Sequence, residues 1–111
     1  MKKTAVGLFY IFLSQFAYCQ VSASAFTDTV MKDTSLIALG QQVWDNQCRH
    51  CHGNSAYPGK APKLKPSGYR PDFVYDRVTN GFRKMPAWRD IFTEQQRVGV
   101  TVYIMSPAFS P

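Results

Sequence analysis

The chain has 111 residues and a mass of 12.6 kDa, room for one small domain and none for a two-domain enzyme, a repeat array or a multi-span membrane protein. Thirteen Lys and Arg against seven Asp and Glu give a net charge of +6, with three Cys and two His. So small a body seldom builds a sufficient core from its own side chains, and a disulfide, a metal or a cofactor is the first thing to seek.

Lys2 and Lys3 precede an unbroken apolar run over residues 5–13, too short to span a bilayer. Small residues at Val21-Ser22-Ala23-Ser24-Ala25 suit cleavage after Ala23 or Ala25. Residues 1–25 therefore read as a signal peptide of an exported, periplasmic protein, and residues 26–111 as the mature domain, with its core at about 35–106. An uncleaved leader would instead tether the same domain to a membrane. Cys19 is a candidate lipoprotein site that the bulky Tyr18 beside it disfavours. Cleavage discards Lys2, Lys3 and Cys19, which leaves Cys48 and Cys51 as the thiols and eleven basic against seven acidic residues, a charge of +4.

Residues 26–33 show little periodicity and read as a frayed lead-in. Asp33-Thr34-Ser35 then supplies N-cap chemistry, and Leu36, Ile37, Leu39, Val43 and Trp44 recur at helical spacing, predicting a helix over residues 35–47. Gly40 inside it costs stability relative to Ala, so it is either tolerated or serves a close helix contact. Pro58, Gly59, Pro62, Pro66 and Gly68 make residues 53–68 a loop. Pro71 suits a first helical position, and a short helix follows to Thr79, closed by Asn80-Gly81. A second loop covers residues 82–92. Thr93 with Gln96 forms a capping box that opens the last helix, which carries Val98, Val102 and Met105 and stops before Pro107. The run Val100-Thr101-Val102 would also suit a strand, but the cap and the lack of a partner strand favour helix. The fold class is all-α, with three to four short helices.

Cys48-Arg49-His50-Cys51-His52 contains Cys-x-x-Cys-His. Two thiols at this spacing can form thioethers to the vinyl groups of a haem, and the His that follows is carried under the iron as its proximal ligand. A redox dithiol of the thioredoxin kind would need a strand before Cys48, and none is predicted. Zinc would need four converging ligands, and no second pair exists downstream. A Cys48–Cys51 disulfide would close too small a loop to stabilise much and would leave His52 unexplained. Covalent haem c is therefore the expected cofactor. For the second axial position the mature chain offers Met31 in the lead-in, Met105 on the apolar stripe of the last helix, and Met85 in a Gly- and Pro-flanked loop. Met85 is the expected ligand, because no helix claims it for packing. His50 reads as a solvent-facing spacer.

These residues resemble the small class I cytochrome c family, through Cys48-x-x-Cys51-His52-Gly53, Ala61-Pro62-Lys63-Leu64, Asn80-Gly81, Met85-Pro86-Ala87-Trp88 and Val102-Tyr103-Ile104. The resemblance implies a cytochrome c fold wrapped around one haem, held by Cys48 and Cys51 with His52 and Met85 as axial iron ligands. It implies that the Pro62 carbonyl accepts a hydrogen bond from the other ring nitrogen of His52, and that Leu64 and Trp88 belong to the haem pocket. Gly40 and Trp44 would meet Tyr103 where the first and last helices cross. Two departures stand out: Ala61 replaces a glycine common in relatives, and the stretch from His52 to Met85 is short. The segment covering the propionates is then trimmed, with Tyr69, Arg70 and Trp88 as candidate contacts.

Two axial ligands leave no open position at iron, so the expected role is a one-electron carrier and not an enzyme. Lys60, Lys63, Lys65, Arg70, Arg77, Arg83, Lys84, Arg89 and Arg97 would form a positive rim for acidic redox partners. These would be a dehydrogenase donor, of which a quinoprotein alcohol dehydrogenase is one, and an oxidase or cytochrome acceptor. Nucleic acid is not an expected partner, no membrane span remains after cleavage, and a monomer is expected. The alternative is a ligand-binding or peroxide-reactive haem protein in which Met85 dissociates.

Overall fold

The computed structural model describes residues 25–54 and 59–109; the leader with Cys19, and Tyr57 and Pro58 of the first loop, lie outside the described residues. The lead-in is more ordered than its sequence pattern implied. Thr27 caps a one-turn helix, α1 (Asp28–Met31), by accepting the Val30 N–H at 3.4 Å. Phe26 meets the ring of Tyr75 edge-on at 5.7 Å, so an aromatic contact holds the segment down.

In α2 (Thr34–Val43) Asp33 is the N-cap, its carboxylate accepting the Ser35 and Leu36 amides at 2.8 and 3.1 Å. The expected stop at residue 47 is not observed. The chain runs on through a π turn, Trp44–Cys48, into α3 (Arg49–His52), which ends at Gly53. The wider turn changes which way the following side chains face without breaking the rod, a common use of π turns at functional sites. Pro71 opens α4 (Pro71–Asn80) as expected, and Gly81 closes it at φ 72°, a left-handed value that glycine adopts without strain. The capping box on α5 (Glu94–Met105) is complete: Thr93 Oγ1 accepts the Gln96 N–H at 3.2 Å and Gln96 Oε1 accepts the Thr93 N–H at 2.9 Å. The run Val100-Thr101-Val102 is helical and fully buried, and Thr101 hides its hydroxyl by donating to the Arg97 carbonyl at 2.8 Å.

The core forms where α2 crosses α5. The backbones approach at Gly40 and Gly99, so that a Cβ on Gly40 would run into the Gly99 carbonyl and lie 2.6 Å from Cβ of Tyr103. Trp44, 1% exposed, stands tilted against Tyr103 with centroids 6.4 Å apart and edge-on to Phe109 at 4.7 Å. The expected meeting of Gly40, Trp44 and Tyr103 is therefore present. Val74 and Val78 of α4 and Phe92 complete the buried cluster. Phe109, in a 3₁₀ turn beyond the Pro107 stop, is an unpredicted member. Among the described residues there is no strand, only a bridge between Phe82 and Met85. No described helix is long and apolar enough to cross a membrane. The architecture is all-α, as expected.

Candidate functional site

The π turn and α3 carry the whole Cys-x-x-Cys-His motif. Cys48 is half-buried against the core, Cys51 is exposed, and both thiols are free. Burial pushes the Cys48 thiol up to about 12, with its own backbone hydrogen bond opposing and Cys51 adding a little. Burial also lowers the pKa of His52, which favours the neutral imidazole, the form that ligates metals. The imidazole lies 5.6 Å from the Trp44 ring between centroids, and its Nδ1 is buried without a hydrogen-bond partner. His50 is exposed, its Nε2 3.0 Å from the Asn46 carbonyl oxygen, in keeping with a spacer.

The link between His52 and the Pro62 carbonyl is not made. Pro62 is exposed, and the loop instead ties itself to the motif by backbone, the Ala61 N–H donating to the Cys51 carbonyl at 2.8 Å. Trp44 has a role that its place on a helix stripe did not reveal. Its Nε1–H reaches the carbonyls of Gly53 and Asn54 at 3.2 and 2.7 Å, pinning the chain where it leaves the motif. A buried Trp N–H seeks a partner, which was the available signal.

Met85 comes from a separate loop. After α4, the amides and carbonyls of Phe82 and Met85 exchange hydrogen bonds of 3.1 and 2.9 Å, and the Trp88 and Arg89 amides donate back to Val78 and Thr79 of α4. These bonds fix the 82–89 loop to a helix. Met85, Leu64, Tyr69, Trp88 and Cys48 are all half-buried and pack on the same core cluster. Trp88 stacks on Phe92 at 4.8 Å with the rings 10° apart. Met105 packs on the core, as its stripe position implied.

The candidate propionate contacts are partly engaged. The Arg70 guanidinium holds the Asp72 carboxylate through two bonds of 3.1 and 3.0 Å, and the Tyr69 hydroxyl accepts the Lys65 N–H at 3.0 Å. Of the basic residues, Arg77 lies over the Phe73 and Phe82 rings, Arg97 over Tyr75, and Arg89 reaches the Asn80 side chain.

Free thiols two residues apart, a neutral imidazole with an orphaned nitrogen, a thioether, and large apolar side chains left half-covered on one core suit an apolar macrocycle with a covalent anchor. A hydrophilic metal centre is less well served: among the described residues no three His, Cys, Asp or Glu gather. The family model described as cytochrome C oxidase, cbb3-type, subunit III matches residues 35–104. The chain belongs to this family of c-type cytochromes. It is 29% identical to the chloroplastic cytochrome c6 of Chlamydomonas reinhardtii over 103 residues, which covers 78% of this chain and 70% of that protein. With cytochrome c6 of Chlorolobion braunii it shares 28% over 81 residues, 65% of this chain and 91% of that one. The cytochrome c subunit of 4-cresol dehydrogenase (hydroxylating) of Pseudomonas putida is 33% identical over 76 residues, 65% of this chain and 66% of that subunit. No solved structure gives a significant match. This small monohaem cytochrome carries covalently bound haem c, acts in electron transfer and is not an enzyme.

Proposed function

We propose that this cytochrome is a periplasmic one-electron carrier in which Cys48 and Cys51 form the thioethers and His52 and Met85 fill the two axial positions at iron. The carrying observation is that the motif turn and the Met85 loop, over thirty residues apart in sequence, both pack on one core cluster. Bound haem c supplies a one-electron iron couple, and a Met/His pair raises its potential. The neutral His52 imidazole presents a lone pair with no proton to lose first, and Trp44 limits its tilt. Leu64 and Trp88 exclude water from the pocket, and exclusion of water strengthens every electrostatic contact inside it. With His52 and Met85 both holding the iron, no position would be left for a substrate, and the chemistry the haem would supply is exchange of a single electron.

Residues 1–25 act as the cleaved signal and 26–111 as a monomeric domain. Exposed Lys60, Lys63, Lys65 and Lys84 steer an acidic redox partner, so that association slows with salt. The likeness to a dehydrogenase's cytochrome subunit supports a dehydrogenase as donor, a quinoprotein alcohol dehydrogenase among them, with an oxidase or another cytochrome as acceptor. The first test is acid-acetone extraction of protein from a haem-maturing host. The expected result is haem that stays with the chain, while Met85→Ala abolishes the Met-to-iron charge-transfer band and lowers the potential. Extractable haem, or a wild-type ferric protein that is already high-spin, would overturn the reading.

A further inference from the structure

The hairpin that presents Met85 is strained at one position and held at another. Mutual hydrogen bonds between Phe82 and Met85 leave Arg83-Lys84 as a two-residue loop. Such loops need a left-handed residue, for which glycine is usual. Here Arg83 takes it, at φ 53°, alone among the described non-glycine residues. A strained conformation of this kind persists only where its surroundings over-determine it.

What over-determines it is the Phe82 ring. The Arg77 guanidinium of α4 lies 4.2 Å from its centroid and the Arg83 guanidinium 5.1 Å. Arg77 is itself held, 4.9 Å from the Phe73 ring and 3.6 Å from the Asp76 carboxylate. Phe82 is 49% exposed. A ring with two guanidiniums over it is attracted to both through its π face. One of those cations belongs to a rigid helix and the other to the loop, and the ring joins them.

We propose that Phe82, held by cation–π contacts to both Arg77 and Arg83, is a positioning residue for the Met85 thioether, locking the hairpin to α4 so that the thioether competes well against outside ligands. This rests on Met85 being an axial ligand. The test titrates the ferric holoprotein with imidazole, which competes for the position opposite His52, and records the Met-to-iron charge-transfer band. In Phe82→Leu imidazole binds about fivefold tighter, the scale expected when the ring's attraction to a half-buried and an exposed guanidinium is removed. Arg77→Met shifts the affinity in the same direction by less, and Phe82→Tyr, which keeps the ring face, restores the wild-type affinity. Phe82→Leu within twofold of wild type, in a protein whose Met85→Ala variant loses the band, overturns the clasp alone. Met85→Ala that keeps the band overturns the clasp and the ligand assignment together.

Discussion

The α2–α5 crossing and the Met85 face are built from similar side chains to different degrees of completion. At the crossing, Trp44, Val100, Val102, Thr101 and Phe109 are all under 2% exposed, and Trp44, Tyr103 and Phe109 lie against one another. In the loops at residues 61–69 and 82–89, Leu64, Tyr69, Met85 and Trp88 stop half-buried, and His52 Nδ1 is buried without a partner. The crossing closes with what the chain supplies. The second region leaves apolar area and an unpartnered imidazole nitrogen, which suits the haem that makes up a sufficient core in so small a domain. Trp44 belongs to both, packing in the crossing while its indole N–H fixes the exit from the haem motif.

The largest effect that would sharpen this division is at the crossing. Gly40→Ala places a methyl group against the Gly99 backbone, which cannot yield as a flexible side chain would, and should cost about 3 kcal/mol of stability. Chemical denaturation of the holoprotein measures it, with the Met-to-iron band unchanged in the folded state; a loss of the band alone would break the division. Thr93→Ala removes one half of the capping box and should cost about 1 kcal/mol, again without touching the haem spectrum. The smallest effect is confined to alkaline pH. Burial, with a contribution from Asp45, raises the Tyr103 pKa above its ordinary value near 10. The folded state then holds the phenolic proton more tightly than the unfolded state. This stabilisation is complete below the unfolded pKa and is lost as pH rises through the folded one. Urea midpoints between about pH 9 and 11 should fall less steeply in Tyr103→Phe than in wild type; identical slopes would remove Tyr103 from the account.

Signals confined to a few neighbouring residues were legible. The Asp33 cap, Pro71 at a first helical position, the Gly81 stop and the Thr93–Gln96 box all act within one helical turn, and the structure has each of them. The haem motif was legible for the same reason, since its chemistry lies in five consecutive residues. What could not be read depends on groups far apart in sequence. Gly99 as the counterpart of Gly40, Phe109 folding back on Trp44, and Phe26 docking on Tyr75 are set by packing between elements. The extension of the first helix through a π turn was missed because apolar periodicity fades after Trp44, whereas backbone hydrogen bonding does not. The Pro62 contact failed on a one-residue question: the loop is fixed to the motif through the Ala61 amide, and that choice is made by the loop's path.

By itself the sequence determined the helical class, the helix starts, the stops of α4 and α5 and the anchoring motif, because each is local chemistry of backbone and side chain. The tertiary structure decided the rest. It packed His52 on Trp44, brought Met85 to the same core as Cys48, and clasped the Met85 hairpin to α4 through Phe82. These depend on the angle and distance at which helices meet, and close packing of the whole chain sets both.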